Sequence, residues 1–212
     1  MYIFDLDGTL TDSNGLWLEV DEEFLARRGL KTTREDQDMV GRAIFPTAAE
    51  YTRNYYHLED APEDIMAEWE ALARHHYAHL APMKPGALEL LRRCRADGVP
   101  MALFTACRPA LCRAVLARFG LEQFFSHIIF AEEIGLEKSD PRCFTRLCQL
   151  IGAEPKHCTL FDDSPNNCAT ARAAGMRAVG VYDDFYAHRQ EELKESCHRY
   201  IRSFEDLLQN IS

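Results

Sequence analysis

The chain has 212 residues, 47% of them hydrophobic, with 24 basic against 34 acidic side chains and a formal net charge of −10. This exceeds the roughly 150-residue domain unit, so one large domain or a domain carrying an insertion is expected, with enough apolar material for a sizeable core. The acidic balance provides no basic field for nucleic acid or anionic lipid, and no apolar run approaches the roughly 18 residues of a membrane span. Eight cysteines could indicate a disulfide framework. In a long, core-rich chain whose Met1 leads directly into a strand they are expected to be reduced, cytoplasmic thiols, and their spacings differ from CxxC zinc pairs.

Tyr2 to Phe4 read as a short buried strand, and Gly8 lets the backbone turn where that strand would otherwise continue. From Asn14 to Leu80 the pattern is helical throughout. Leu16, Trp17, Val20, Phe24 and Leu25 follow helical spacing up to Arg27-Arg28-Gly29, Gly41 to Thr47 interrupts the pattern as a loop, and Pro62 opens a helix to about Leu80. Strand and helix then alternate. Pro85 to Ala96 is a helix, Val99 to Phe104 a strand, Pro109 to Phe119 a helix, His127 to Phe130 a strand and Pro141 to Ile151 a helix. Thr159 to Phe161 is a strand, Pro165 to Ala174 a helix, Ala178 to Tyr182 a strand, and one or two helices end near Asn210. The alternation predicts an α/β fold: a Rossmann-like parallel sheet with helices on both faces. The helical stretch is then an insertion, giving a core of residues 1–14 and 81–212 and a helical subdomain of residues 15–80.

Asp5 and Asp7 fall at the carboxyl end of the first strand, where open α/β sheets place their ligands. Two anions so close require a cation between them or a proton on one, which allows either a metal site or a carboxylate nucleophile beside a carboxylic acid. Three further polar groups follow strand-like runs. Thr105 precedes the helix opened by Pro109, a natural anion seat. Lys138, just before Pro141, can hold a phosphate or quiet repulsion among carboxylates. Asp162 and Asp163 end the strand Thr159 to Phe161 and, with Asp5 and the carbonyl of Asp7, make an all-oxygen site of the kind Mg²⁺ prefers. Singly, each has a structural explanation as a helix cap or a solvated loop charge. Their ordered recurrence at strand ends points to one site.

Asp5-Leu6-Asp7-Gly8-Thr9-Leu10-Thr11-Asp12-Ser13, Phe104-Thr105, Lys138-Ser139-Asp140-Pro141 and Phe161-Asp162-Asp163-Ser164 resemble, in order, the four motifs of the haloacid dehalogenase superfamily. Ala171 to Val181 resembles that family's last core segment. The position of the insertion is similar to the branch with an α-helical cap, which holds phosphoglycolate phosphatase-like and β-phosphoglucomutase-like proteins. Ser139 stands where proline is usual, Asp162 where glutamate or glycine is common, and Asn167 where glycine is frequent. The resemblance implies a Mg²⁺-dependent phosphatase acting on a small phosphorylated metabolite through an aspartyl phosphate. Asp5 would be the nucleophile and Asp7 the acid and base, with Asp5, Asp7, Asp162 and Asp163 at the metal. Thr105, Lys138 and the backbone N–H groups of Leu6 and Ala106 would hold the phosphate. A sugar-phosphate mutase, or a phosphometabolite-binding protein without turnover, would use the same core residues. Dehalogenation is disfavoured because a halide needs no proton from Asp7. Phosphonate cleavage is disfavoured because it needs a cap lysine and the insertion has only Lys31, in a loop-like setting. A mobile cap is expected to choose the substrate through Arg42, Phe45 and Thr47, with Tyr51 and Arg53 as further candidates. His75 and His79 form an i, i+4 pair that lacks a third metal ligand in view. Monomer and dimer are both compatible with the sequence.

Overall fold

The computed structural model describes residues 1–40 and 43–209. Strand β1 (Tyr2–Phe4) leads into four helices, α1 (Asn14–Ala26), α2 (Arg34–Val40), α3 (Phe45–Tyr56) and α4 (Pro62–His79). There follow α5 (Ala87–Ala96), β2 (Met101–Thr105), α6 (Pro109–Phe119), β3 (His127–Phe130), the single turn α7 (Ala131–Ile134) and α8 (Pro141–Leu150). The chain continues through β4 (Thr159–Asp162), α9 (Pro165–Ala173), β5 (Arg177–Val181), α10 (Gln190–Ser196), β6 (Arg199–Ile201) and α11 (Glu205–Leu208).

The six strands form one parallel sheet in the order β3-β2-β1-β4-β5-β6. Chain direction across the sheet reverses between β1 and β4, and at such a switch point the loops leaving neighbouring strands part to leave a crevice. The period-2 geometry of a strand sends successive side chains to opposite faces. Phe4, Leu103 and Phe161 therefore enter one apolar cluster, while Ile3, Phe104 and Leu160 enter the other. Phe4 and Phe161 stack with centroids 4.6 Å apart across the β1/β4 boundary, which fixes the floor of the crevice. The first cluster runs on without a break into the inserted helices through Val20, Phe24, Ile65 and Trp69. Both strand and helix residues on that side thus share one apolar interior.

The two segments that connect the inserted helices to the sheet run side by side. Asp12 N–H donates to the Pro82 carbonyl (2.9 Å) and Lys84 N–H to the Leu10 carbonyl (2.9 Å). Two expectations need correction. Phe45, Pro46 and Thr47 are not loop but the first turn of α3, because Pro46 sits where a missing N–H costs nothing and its fixed φ suits a helix start. The tail is not only helical, since Arg199–Ile201 adds a sixth strand beside β5. Three residues, one of them exposed, are too few to show an alternating pattern. All eight cysteines are free and buried, and no described helix is long and apolar enough to cross a membrane.

Candidate active site

The loop after β1 is shaped by Gly8, whose φ of 74° is left-handed and whose missing Cβ leaves room for the side chains of Asn14 and Asp163. Any L side chain there would be strained and would collide with both. The turn is secured from within: the Leu6 carbonyl accepts from the N–H groups of Leu10 and Thr11 (both 2.9 Å) and from the Thr11 hydroxyl (3.1 Å). Asp5 and Asp7 are thereby held on either side of a buried Leu6, on the floor of the crevice.

Lys138, only 3% exposed, reaches from the loop before α8 to Asp5 Oδ1 (2.5 Å) and Asp162 Oδ2 (3.2 Å). The other Asp162 oxygen accepts from Ser164 N–H and Asn167 Nδ2 (both 3.0 Å). Asn167 lies in the first turn of α9, not in a loop, and it orients Asp162. Asp163 accepts from Thr9 Oγ1 (3.3 Å) and Asn14 Nδ2 (2.8 Å). Asp5, Asp162 and Asp163 each offer a carboxylate oxygen within 4.8 Å of the others, the one such group of three among the described residues. Burial, opposed by the charge of Lys138, pushes Asp5 up to about 7, with Asp162 and Asp7 adding to the rise. Asp163 is pushed far above the carboxylate range, first by burial and then by Asp183, Asp162 and Asp5. One lysine does not balance this concentration of buried negative charge. Hard oxygen donors in such a cluster fit a small divalent cation.

Asp7 belongs to a separate network. Ser13 Oγ (2.5 Å) and Tyr77 Oη (2.6 Å) both donate to Asp7 Oδ1, and the Trp17 indole N–H donates to the Tyr77 hydroxyl. Burial raises the Asp7 carboxyl, and these two donors pull it back. Its side chain is outside the group of three carboxylates, so a contribution to a metal would come from its backbone carbonyl. Thr105, fully buried at the end of β2, accepts Cys107 N–H (3.0 Å), and Ala106 stands exposed beside it.

The crevice is roofed by the inserted helices. Asp5, Asp7, Thr105, Ala106, Lys138 and Asp163 line its floor, and Trp17, Asp21, Val40, Phe45, Ala48 and Trp69 line its roof. Phe45 is therefore at the cavity as expected. Thr47, Tyr51 and Arg53 are not among the lining residues. Arg42 lies outside the described residues. His75 and His79 pack against each other (5.1 Å between centroids) on the exposed face of α4, away from the crevice.

Sequence reasoning missed one supporting cluster. Asp183, 2% exposed at the end of β5, takes Lys84 Nζ (2.5 Å) on one oxygen and Asn14 Nδ2 (3.0 Å) on the other. It thereby positions the amide that holds Asp163. The signal was available: Asp183 follows an apolar strand as Asp5 and Asp162 do.

A family model described as haloacid dehalogenase-like hydrolase matches residues 1–175. The chain is 26% identical over 185 residues to hexitol phosphatase B of Escherichia coli strain K12, covering 84% of this chain and 82% of that protein. It is 31% identical over 186 residues to fructose-1-phosphate phosphatase YqaB of the same organism, covering 84% and 94%. The crystal structure of CbbY from Rhodobacter sphaeroides in complex with phosphate has the same fold, with a TM-score of 0.82 at 20% identity over 97% of this chain and 95% of that one.

Proposed function

Because the chain belongs to the haloacid dehalogenase-like hydrolases and its relatives include hexitol phosphatase B and fructose-1-phosphate phosphatase YqaB, we propose that it hydrolyses a small phosphorylated metabolite by covalent catalysis at Asp5, with Mg²⁺ as cofactor. The observation that carries this reading is the division of the acids into two environments. Asp5 sits against Lys138 and two further carboxylates, while Asp7 is held apart by Ser13 and Tyr77. Environments that differ in this way separate a nucleophile from an acid.

Asp5, Asp162, Asp163 and the Asp7 carbonyl would hold the cation, which when bound supplies charge neutralisation for the transferring phosphoryl group. Asp5 attacks phosphorus as the bond to the alcohol oxygen breaks, and Asp7 gives that oxygen a proton. Asp7 then takes a proton from water, which attacks the phosphorus and frees Asp5 and inorganic phosphate. Lys138, Thr105 and the backbone N–H groups of Leu6 and Ala106 grip the phosphoryl oxygens.

The inserted helices, residues 15–80, act in this reading as a cap that closes over the substrate, and the adjacent segments at Asp12 and Pro82 are its hinge. A mutase would use the same core residues but need a bisphosphate activator, whereas a phosphatase releases inorganic phosphate without one. The test is phosphate release from a panel of phosphorylated metabolites with Mg²⁺, for wild type and Asp5→Asn. The variant, nearly isosteric but unable to act as nucleophile, should fold normally and release none. Wild-type rates in that variant would reject the covalent route.

A further inference from the structure

Asp21 has no task in phosphoryl transfer. It lies on α1, lines the roof of the cavity, is 5% exposed, and no described residue donates a hydrogen bond to it. An unpaired buried carboxyl is costly. It is retained most readily where a ligand completes it. The walls beside it are aromatic: Phe45 meets Trp17 and Trp69 edge-on, each at 5.5 Å between centroids. Phe45 already carries one cation, the Arg108 guanidinium 5.4 Å from its ring centroid, and aromatic rings beside a carboxylate suit an ammonium group.

Resting on the phosphatase reading, we propose that the leaving alcohol of the natural substrate carries a primary ammonium, which seats against Asp21 between Trp17, Phe45 and Trp69. The substrate class is thus a phosphorylated amino alcohol. Burial and the charge of the neighbouring Asp36 push Asp21 up to about 8. A cation is the partner that would keep it ionised at neutral pH.

The experiment compares ω-aminoalkyl phosphates of increasing chain length with n-alkyl and ω-hydroxyalkyl phosphates of equal length, in wild type and Asp21→Asn with Mg²⁺. At one chain length the wild-type kcat/KM for the amine should exceed both others by about ten- to a hundredfold, the worth of one desolvated hydrogen bond to a charged group. In Asp21→Asn that ratio should fall towards one. A wild-type preference for the hydroxyl or alkyl series overturns the proposal without recourse to any variant. So does a ratio that survives the substitution. p-Nitrophenyl phosphate serves as a control: hydrolysis of it without amine preference overturns only the ammonium seat. No hydrolysis of any ester overturns the phosphatase reading, and this inference with it.

Discussion

Lys138 holds together carboxylates that would otherwise repel one another. Burial disfavours its charge, but Asp162 and Asp5 outweigh that and hold the ammonium above its ordinary range. Removing one partner of a buried ionic cluster leaves the others unpaired, a loss of about 3–5 kcal/mol. Lys138→Met should therefore lower the melting temperature in chelator, and added Mg²⁺ should recover part of the loss, since ligands of the native state stabilise it. Equal melting temperatures for variant and wild type would show that these acids are protonated and need no cation. Tyr77 presents a different case at this scale. It donates to the proposed acid from a helix of the cap, so Tyr77→Phe should reduce kcat by about tenfold with little change in KM, a fraction of the roughly 10²–10⁴-fold that a general acid contributes. A change in KM alone would mean that the hydroxyl serves substrate binding.

Among the elements, α1 and α2 bring two unusual acids, Asp21 and Asp36, near each other. Asp36 on α2 is fully buried, and among the described residues only the Tyr56 hydroxyl approaches its carboxyl oxygens. Burial pushes it up to about 6, with the Tyr56 hydroxyl pulling the other way. Together with Asp21 near 8, both groups bind protons in the folded state at a pH where the unfolded chain has released them. Their contribution to stability is therefore complete below about pH 4, the unfolded carboxyl range, and is lost as pH rises to about 8. Denaturant unfolding of wild type and Asp21→Asn between pH 5 and 8.5 should show the wild type falling more steeply, with the variant gaining on it at the alkaline end. Parallel curves would mean that Asp21 is ionised throughout, or paired.

For the whole molecule, the sheet supplies the floor of one cavity and the inserted helices its roof, an arrangement that suits the proposed division between chemistry in the core and selection in the cap. The oxygen donors on the floor suit Mg²⁺. Ca²⁺ adopts longer bonds and higher coordination, which would misplace Asp5 relative to phosphorus. Ca²⁺ should thus compete with Mg²⁺ and inhibit in steady-state assays, and excess chelator should abolish phosphate release. Full activity in chelator would remove the cation from the reaction.

The order of acid pair, threonine, lysine and acid pair was legible in the chain because each follows a short apolar run, and parallel strands end their loops on one side. Local polarity thus determined five of the six strands, the helices between them and the placement of the candidate residues at strand ends. The sequence did not reveal what depends on side chains meeting across long separations. Tyr77 reads as part of a helix face until its hydroxyl is found on Asp7, 70 residues away, and Lys84 reads as a solvated charge until it meets Asp183, 99 residues on. Asp21 reads as helix surface, and only the packing of α1 against the other helices turns it inward. Tertiary structure decided these because burial and pairing are properties of what lies across the gap, and no local pattern encodes that.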